Sequence, residues 1–246
     1  MKKLYVNGCS FTHGNVLPNE ETWPVLLANE LDLELFNESK NGQSMSSICY
    51  NTFMHLASFD PKETLVVIGL TWATRNMLQV RNTTVNIAPN NSRSMRYMDK
   101  VFNAGHPEKY FEESYDRHVV EESMIKEDIL FDLLNSEFKK QRQLIGIHSG
   151  DELQRNQAHF HLFNIILLRS FLEQRGFKYK IIKFQNQSEY INPANGSISD
   201  LLYNHNLIEM WDRLQEGFID PETSHPSSEG AIMIKDSIVR QIKQDQ

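Results

Sequence analysis

Apolar residues follow two rhythms along this chain. Leu4-Tyr5-Val6, Leu33 to Phe36, Thr64-Leu65-Val66-Val67-Ile68-Gly69 and the stretch holding Tyr179, Ile181, Ile182 and Phe184 are short aliphatic and aromatic runs that predict strands. Between and after them the apolar spacing widens to that of a helix. Trp23, Leu26, Leu27 and Leu31 share one broad face, with Thr22 or Glu21 as the start and Pro24 in the first turn, where a missing N–H costs nothing. Further helices are predicted from Ser46 to about Ala57 and over 152–174, where Phe160, Phe163, Leu167 and Leu168 fall at helical spacing and Gly176 is a stop signal. Two more are predicted over Leu201 to Leu214 and from Ala231 to about Ile242. The run from Thr64 to Gly69 is apolar throughout, which suits a parallel strand covered on both faces. Strand, helix, strand, helix, strand implies an α/β core.

The middle breaks this order. Residues 72–104 carry several asparagines, Pro89 and the arginines Arg75, Arg81, Arg93 and Arg96, and read as an irregular excursion with a short hairpin around Val80 to Ile87. Residues 108–142 have helix-forming composition, with Ile129, Leu130, Leu133, Leu134 and Phe138 as a stripe for an added helical layer or a partner. The chain is therefore read as one α/β domain over 1–246 with a loop and helical insertion at 72–150.

Composition narrows the class. The chain has 246 residues, 40% of them hydrophobic, enough for a sizeable single core. A net charge of -7 opposes a broad nucleic-acid face, so no nucleic-acid partner is expected. Cys9 and Cys49 are too few for a disulfide framework, and the apolar run after Met1-Lys2-Lys3 stops at Asn7, short of a signal peptide. Leu162 to Leu172 is too short to span a bilayer and contains Asn164, Arg169 and Ser170. These features predict a soluble protein in the cytoplasm or another intracellular setting, with no membrane span. They say nothing of oligomeric state.

Two polar loops sit at opposite ends of the chain. Gly8-Cys9-Ser10-Phe11-Thr12-His13-Gly14 follows the first strand, and Asp220-Pro221-Glu222-Thr223-Ser224-His225-Pro226 precedes the last helix. Ester hydrolysis by a serine needs a nucleophile, a histidine that takes and returns its proton, a group that orients the histidine, and donors for the oxyanion. Ser10 is the candidate nucleophile, His225 the base, and Glu222 or Asp220 the orienting acid. Structural readings compete: Ser10 as a helix cap, Glu222 as a solvated carboxylate, Asp220 as an Asx turn before Pro221. Cys9 raises thiol chemistry, but alternation along the chain turns one of Cys9 and Ser10 toward the core. His13, Trp72 and Arg75 are candidate substrate contacts, His13 being equally suited to a local hydrogen bond. His159 and His161 diverge on a helix, and His118 and His148 add no ligand spacing, so no metal is expected. Gly8 to Gly14 lacks the lysine and hydroxyl residue of a P-loop.

Taken together, these stretches resemble the SGNH hydrolases, also called GDSL-type esterases and lipases, and most closely the subset opening Gly-Cys-Ser-Phe-Thr-x-Gly. Gly8-Cys9-Ser10-Phe11 matches the first family stretch, Asn41-Gly42-Gln43-Ser44 resembles the glycine loop, Gly69-Leu70-Thr71-Trp72 falls where Gly-x-Asn-Asp is expected, and His225-Pro226 followed by Gly230 resembles the terminal stretch. The resemblance covers the core; residues 75–150 have no counterpart in it. It implies a three-layer α/β/α flavodoxin-like fold with a central parallel sheet and no cofactor. By resemblance, Ser10 attacks, His225 is base and then acid, and the N–H groups of Ser10 and Gly42 form the oxyanion hole. Two positions depart from the pattern. Thr71 stands where the family has an oxyanion asparagine, with Asn76 and Arg75 nearby, and Glu222, favoured by position as the triad acid, stands where an aspartate is expected, with Asp220 competing. The implied substrate is an ester, with an O-acetyl or other short acyl group on a carbohydrate as the proposed form. The alternatives are acyl transfer by the same serine and a noncatalytic glycan- or protein-binding relative.

Overall fold

The computed structural model of the protein describes residues 1–14, 16–71, 76–80, 83–87, 151–184, 206–210, 213–214, 217–222 and 225–245, with 76–80, 83–87 and 151–160 described as backbone. The elements are β1 (Lys3–Asn7), α1 (Ser10–His13), a 3-10 turn (Asn19–Glu21), α2 (Trp23–Leu31), β2 (Glu34–Asn37), α3 (Met45–Leu56), β3 (Thr64–Gly69), β4 (Asn76–Val80), β5 (Thr83–Ile87), α4 (Asp151–Arg175), β6 (Lys178–Lys183), β7 (Leu207–Glu209) and α5 (Ser228–Gln244). The stripe expected within 108–142 lies outside the described residues.

Five strands form one sheet in the order β2-β1-β3-β6-β7, and every pairing is parallel. Side chains alternate across it. Leu4, Val6, Leu65, Val67, Ile182 and Ile208 face α2 and α5, packing with Trp23, Leu27, Ile234 and Ile238. Tyr5, Val66, Ile68, Tyr179 and Ile181 face α3 and α4, packing with Ile48, Leu56, Ile165, Leu168 and Leu172. Helices thus cover both faces of a parallel sheet, and each fully buried aliphatic side chain contributes roughly 1.5–3 kcal/mol.

The chain leaves β1 for β2 at one edge, then crosses back to β3 on the other side of β1. In such sheets a crevice opens at the carboxyl ends of the two strands where the order reverses. Here those strands are β1 and β3, and Gly8 to Ser10 and Leu70-Thr71 follow them.

Two expectations are corrected, while the helix expected over 152–174 forms as α4. The helix expected over Leu201 to Leu214 contains β7, because Ile181 N–H donates to Asn206 O at 2.8 Å and Met210 N–H to Lys183 O at 2.9 Å, extending the ladder at the sheet edge. Three residues are too few to declare a period, and pairing overrides helix-like composition. On α4, Leu162, Ile165, Leu168 and Leu172 face the core, while Phe163 and Leu167 point outward at 54% and 42% exposure. The hairpin starts earlier than expected, with β4 and β5 in antiparallel register from Asn76↔Ile87 to Val80↔Thr83. Among the described residues no helix is long and apolar enough to cross a membrane.

Candidate active site

Asn7 ends β1 and is fully buried. Its Oδ1 accepts from Gly8 N–H at 2.8 Å, and its Nδ2 donates to Ile48 O at 3.2 Å and Thr52 Oγ1 at 3.1 Å. One amide thus fixes the exit of β1 and ties it to α3. The next turn is held from the other side by Thr12. A Cβ on Gly8 would lie 2.2 Å from Thr12 Oγ1, and one on Gly69 would lie 2.1 Å from the same atom, so Thr12 occupies a slot that exists because Gly8, just past β1, and Gly69, the last residue of β3, carry no side chain.

Ser10 is the first residue of the single-turn helix α1, with Cys9 as its N-cap position. Cys9 carbonyl accepts from the N–H of Thr12 and of His13, both at 2.9 Å, and Gly14, in the left-handed region at φ 75°, closes the turn on Ser10 O at 3.0 Å. Trp23 Nε1 donates to Phe11 O at 3.1 Å and pins the turn to α2. The side chain of Cys9 enters the apolar core, while Ser10 retains 7% exposure.

The β2–α3 loop runs beside this turn. Glu38 N–H donates to Val6 O at 2.8 Å and Lys40 N–H to Gly8 O at 3.2 Å. Gln43 N–H reaches Lys40 O at 3.4 Å across a turn whose Gly42 has φ 74°. A Cβ at Gly42 would meet nothing within 4 Å, so its backbone angle, not crowding, is the reason for glycine there. Ser44 then caps α3, its side chain accepting from Ser47 N–H at 3.2 Å.

The C-terminal loop arrives at the same place. Ile219 bridges Pro226 in antiparallel fashion, Asp220 N–H donates to His225 O at 2.8 Å, and Ser227 N–H to Phe218 O at 2.9 Å. The loop rests directly on α5, since a Cβ on Gly230 would lie 2.3 Å from Phe218 O. His225 is carried against α1, with its ring centroid 5.3 Å from that of Phe11. Asp220 Oδ1 accepts from Glu222 N–H at 2.9 Å, the Asx turn expected around Pro221, and Glu222 itself is exposed.

The structure therefore brings Ser10, His13, Gly42, Asp220 and His225 to neighbouring loops at one end of the sheet. Thr71 is buried just beyond β3, where Leu70 N–H donates to Ile182 O at 2.8 Å. Asn76 begins β4, while its side chain, Trp72 and Arg75 lie outside the described residues. Neither Asn7 nor Thr12 was among the sequence candidates, and Phe11 and Trp23 were read only as motif and helix residues. A polar residue closing an apolar strand is the one signal that marked Asn7. His161 is buried on α4, and no group of three possible metal ligands occurs among the described residues.

A parallel sheet covered on both faces, with polar loops at its reversal point, defines the class as an α/β fold of the doubly wound kind. Solved structures with this fold include the psychrotrophic esterase EstA from a Pseudoalteromonas species, inhibited by monoethylphosphonate, at TM-score 0.51 and 14% identity over 99% of this chain and 98% of that one. TesA matches at TM-score 0.50 and 12% identity, over 99% of each chain. At these identities the likeness is one of fold. No family model and no curated protein sequence matches the chain.

Proposed function

We propose that the protein is a serine esterase of the SGNH type, acting on an O-acetyl or other short acyl group carried by a carbohydrate. The observation that carries this reading is the contact of His225 with Phe11, at 5.3 Å between ring centroids, which sets the terminal His-Pro loop beside the residue that follows Ser10. In this reading Ser10 Oγ attacks the ester carbonyl carbon as His225 removes its proton. The N–H groups of Ser10 and Gly42 receive the oxyanion, and collapse expels the alcohol, which takes the proton back from His225. Water then cleaves the acyl-enzyme by the same route, and a second hydroxyl in its place would make the reaction an acyl transfer.

Asp220 is the favoured orienting acid over Glu222. Its N–H is bonded to the His225 carbonyl and its carboxylate is held by Glu222 N–H, whereas the Glu222 side chain is exposed. Thr71 or Asn76 would supply the side-chain oxyanion donor, a group whose loss costs about 2.7–4 kcal/mol in a hydrolase.

A fluorophosphonate probe tests the proposal. Labelling of the wild type at Ser10, lost in Ser10→Ala, with turnover on a panel of acetyl esters is expected. Asp220→Asn is expected to lower kcat by about 10⁴-fold and Glu222→Gln far less. A folded protein that neither labels nor turns over any ester would overturn the proposal.

A further inference from the structure

We infer that His13 is a specificity residue for the alcohol portion of the substrate, its Nε2 accepting a hydrogen bond from a hydroxyl of a polyhydroxylated leaving group; the inference rests on the esterase reading above. His13 is the last residue of α1, one turn beyond Ser10 and on the same side of the helix. Its imidazole is exposed, and its Nδ1 lies 3.0 Å from the carbonyl oxygen of Ser39. A carbonyl only accepts, so this contact is a hydrogen bond only when Nδ1 carries the proton. The neutral ring is thereby held as the Nδ1–H tautomer, and its lone pair sits on Nε2.

Ser39 belongs to the loop that leads to Gly42, and Lys40 of that loop donates to Gly8 O at 3.2 Å. The ring of His13 therefore bridges the nucleophile turn and the glycine turn, and its bond to Ser39 leaves Nε2 available to a ligand. The chemistry of Nε2 selects what it can bind. Both oxygens of an ester are acceptors, so neither can pair with a second acceptor. A donor has to come from elsewhere in the substrate, and a free hydroxyl beside the acylated one supplies it. A simple alkyl ester has none.

Two amide variants separate the roles of the ring nitrogens. Asparagine places an N–H where Nδ1–H stands and has nothing at Nε2; glutamine reaches the Nε2 position and gives up the bond to Ser39. The readout is the ratio of kcat/KM for an O-acetylated monosaccharide to that for ethyl acetate. H13N is expected to reduce this ratio about three- to tenfold, the worth of one neutral hydrogen bond, with H13Q retaining more of it. An unchanged ratio in H13N, including an equal loss on both esters, overturns the inference. A long-range proton–nitrogen NMR spectrum of the wild type decides it independently of turnover. The Nδ1–H tautomer and a shift of the Nε2 signal on adding a methyl glycoside are expected, and the opposite tautomer or an unmoved signal at saturating glycoside overturns it. Absence of turnover on both esters in the wild type would count against the esterase reading alone, leaving the NMR titration to judge His13.

Discussion

Thr12 illustrates how much one side chain holds near the turn that carries Ser10. Its hydroxyl is wedged against the ends of β1 and β3, and a methyl group on Gly8 or Gly69 would collide with it. Gly8→Ala is expected to cost about 1–3 kcal/mol through overpacking, and Thr12→Ala to recover part of that loss. A double-mutant cycle in denaturant should give a coupling of about 0.5–3 kcal/mol, while strict additivity would show that the two sites do not meet. Cys49 offers a second test at this scale. Burial pushes its thiol up to about 12, and its Sγ donates to Asn164 O at 3.3 Å. Below pH 9 the thiol is protonated in both the folded and unfolded chain; from there to about 12 only the unfolded chain releases the proton, so stability falls as pH rises. The slope from this one group is up to about 1.4 kcal/mol per pH unit. Burial raises the Tyr5 hydroxyl as well, in the same direction. Cys49→Ala should flatten the alkaline limb of a stability profile, and an unaltered limb would remove Cys49 as its cause. The turn from Gly8 to Gly14 was readable from its glycines and polar residues. The packing role of Thr12 was not, because half of it lies in the contact with Gly69, far away in the sequence.

At the scale of elements, α5 is the platform that presents His225. Ser227 accepts from Gly230 N–H at 3.2 Å as the N-cap, and the backbone of Gly230 backs onto Phe218 O. Gly230→Ala places a methyl against a carbonyl that cannot rotate away. The expected outcome is a loss of about 1–3 kcal/mol in thermal or chemical denaturation together with reduced kcat, since the displaced loop carries His225, the proposed general base. A normal kcat in a destabilised Gly230→Ala protein would separate the loop from catalysis. The strand Thr64–Gly69 was legible as an unbroken apolar run, and the strand Lys178–Lys183 and the helix Trp23–Leu31 from the local spacing of their apolar residues. Strand β7 was not, because its state comes from the partner strand, and the outward face of α4 was not, because apolar residues lie on more than one side of it.

Across the whole molecule, the last helix is fastened to the sheet by a buried charge. Lys180, 2% exposed, pairs with Asp245 Oδ2 at 2.6 Å and donates to Asn206 Oδ1 at 3.3 Å. Asp245→Asn leaves the ammonium inside without its counter-charge and is expected to cost about 1–3 kcal/mol; Lys180→Met, which removes the buried charge itself, should cost less. A larger loss for Lys180→Met in urea denaturation would show that the lysine contributes more than it costs. The α/β alternation, the apolar strands, the start of α2 and the two polar loops at the chain ends were determined by sequence alone, since each depends on local period, turn chemistry or residue type. Tertiary structure decided that β2 and β3 flank β1, that β7 is a strand, that Asp220 is tied to His225 while Glu222 stays exposed, and that the ring of His13 is turned toward Ser39. These are consequences of pairing and packing between segments far apart in the chain, where the energy depends on which partners arrive and not on the residues of either segment alone.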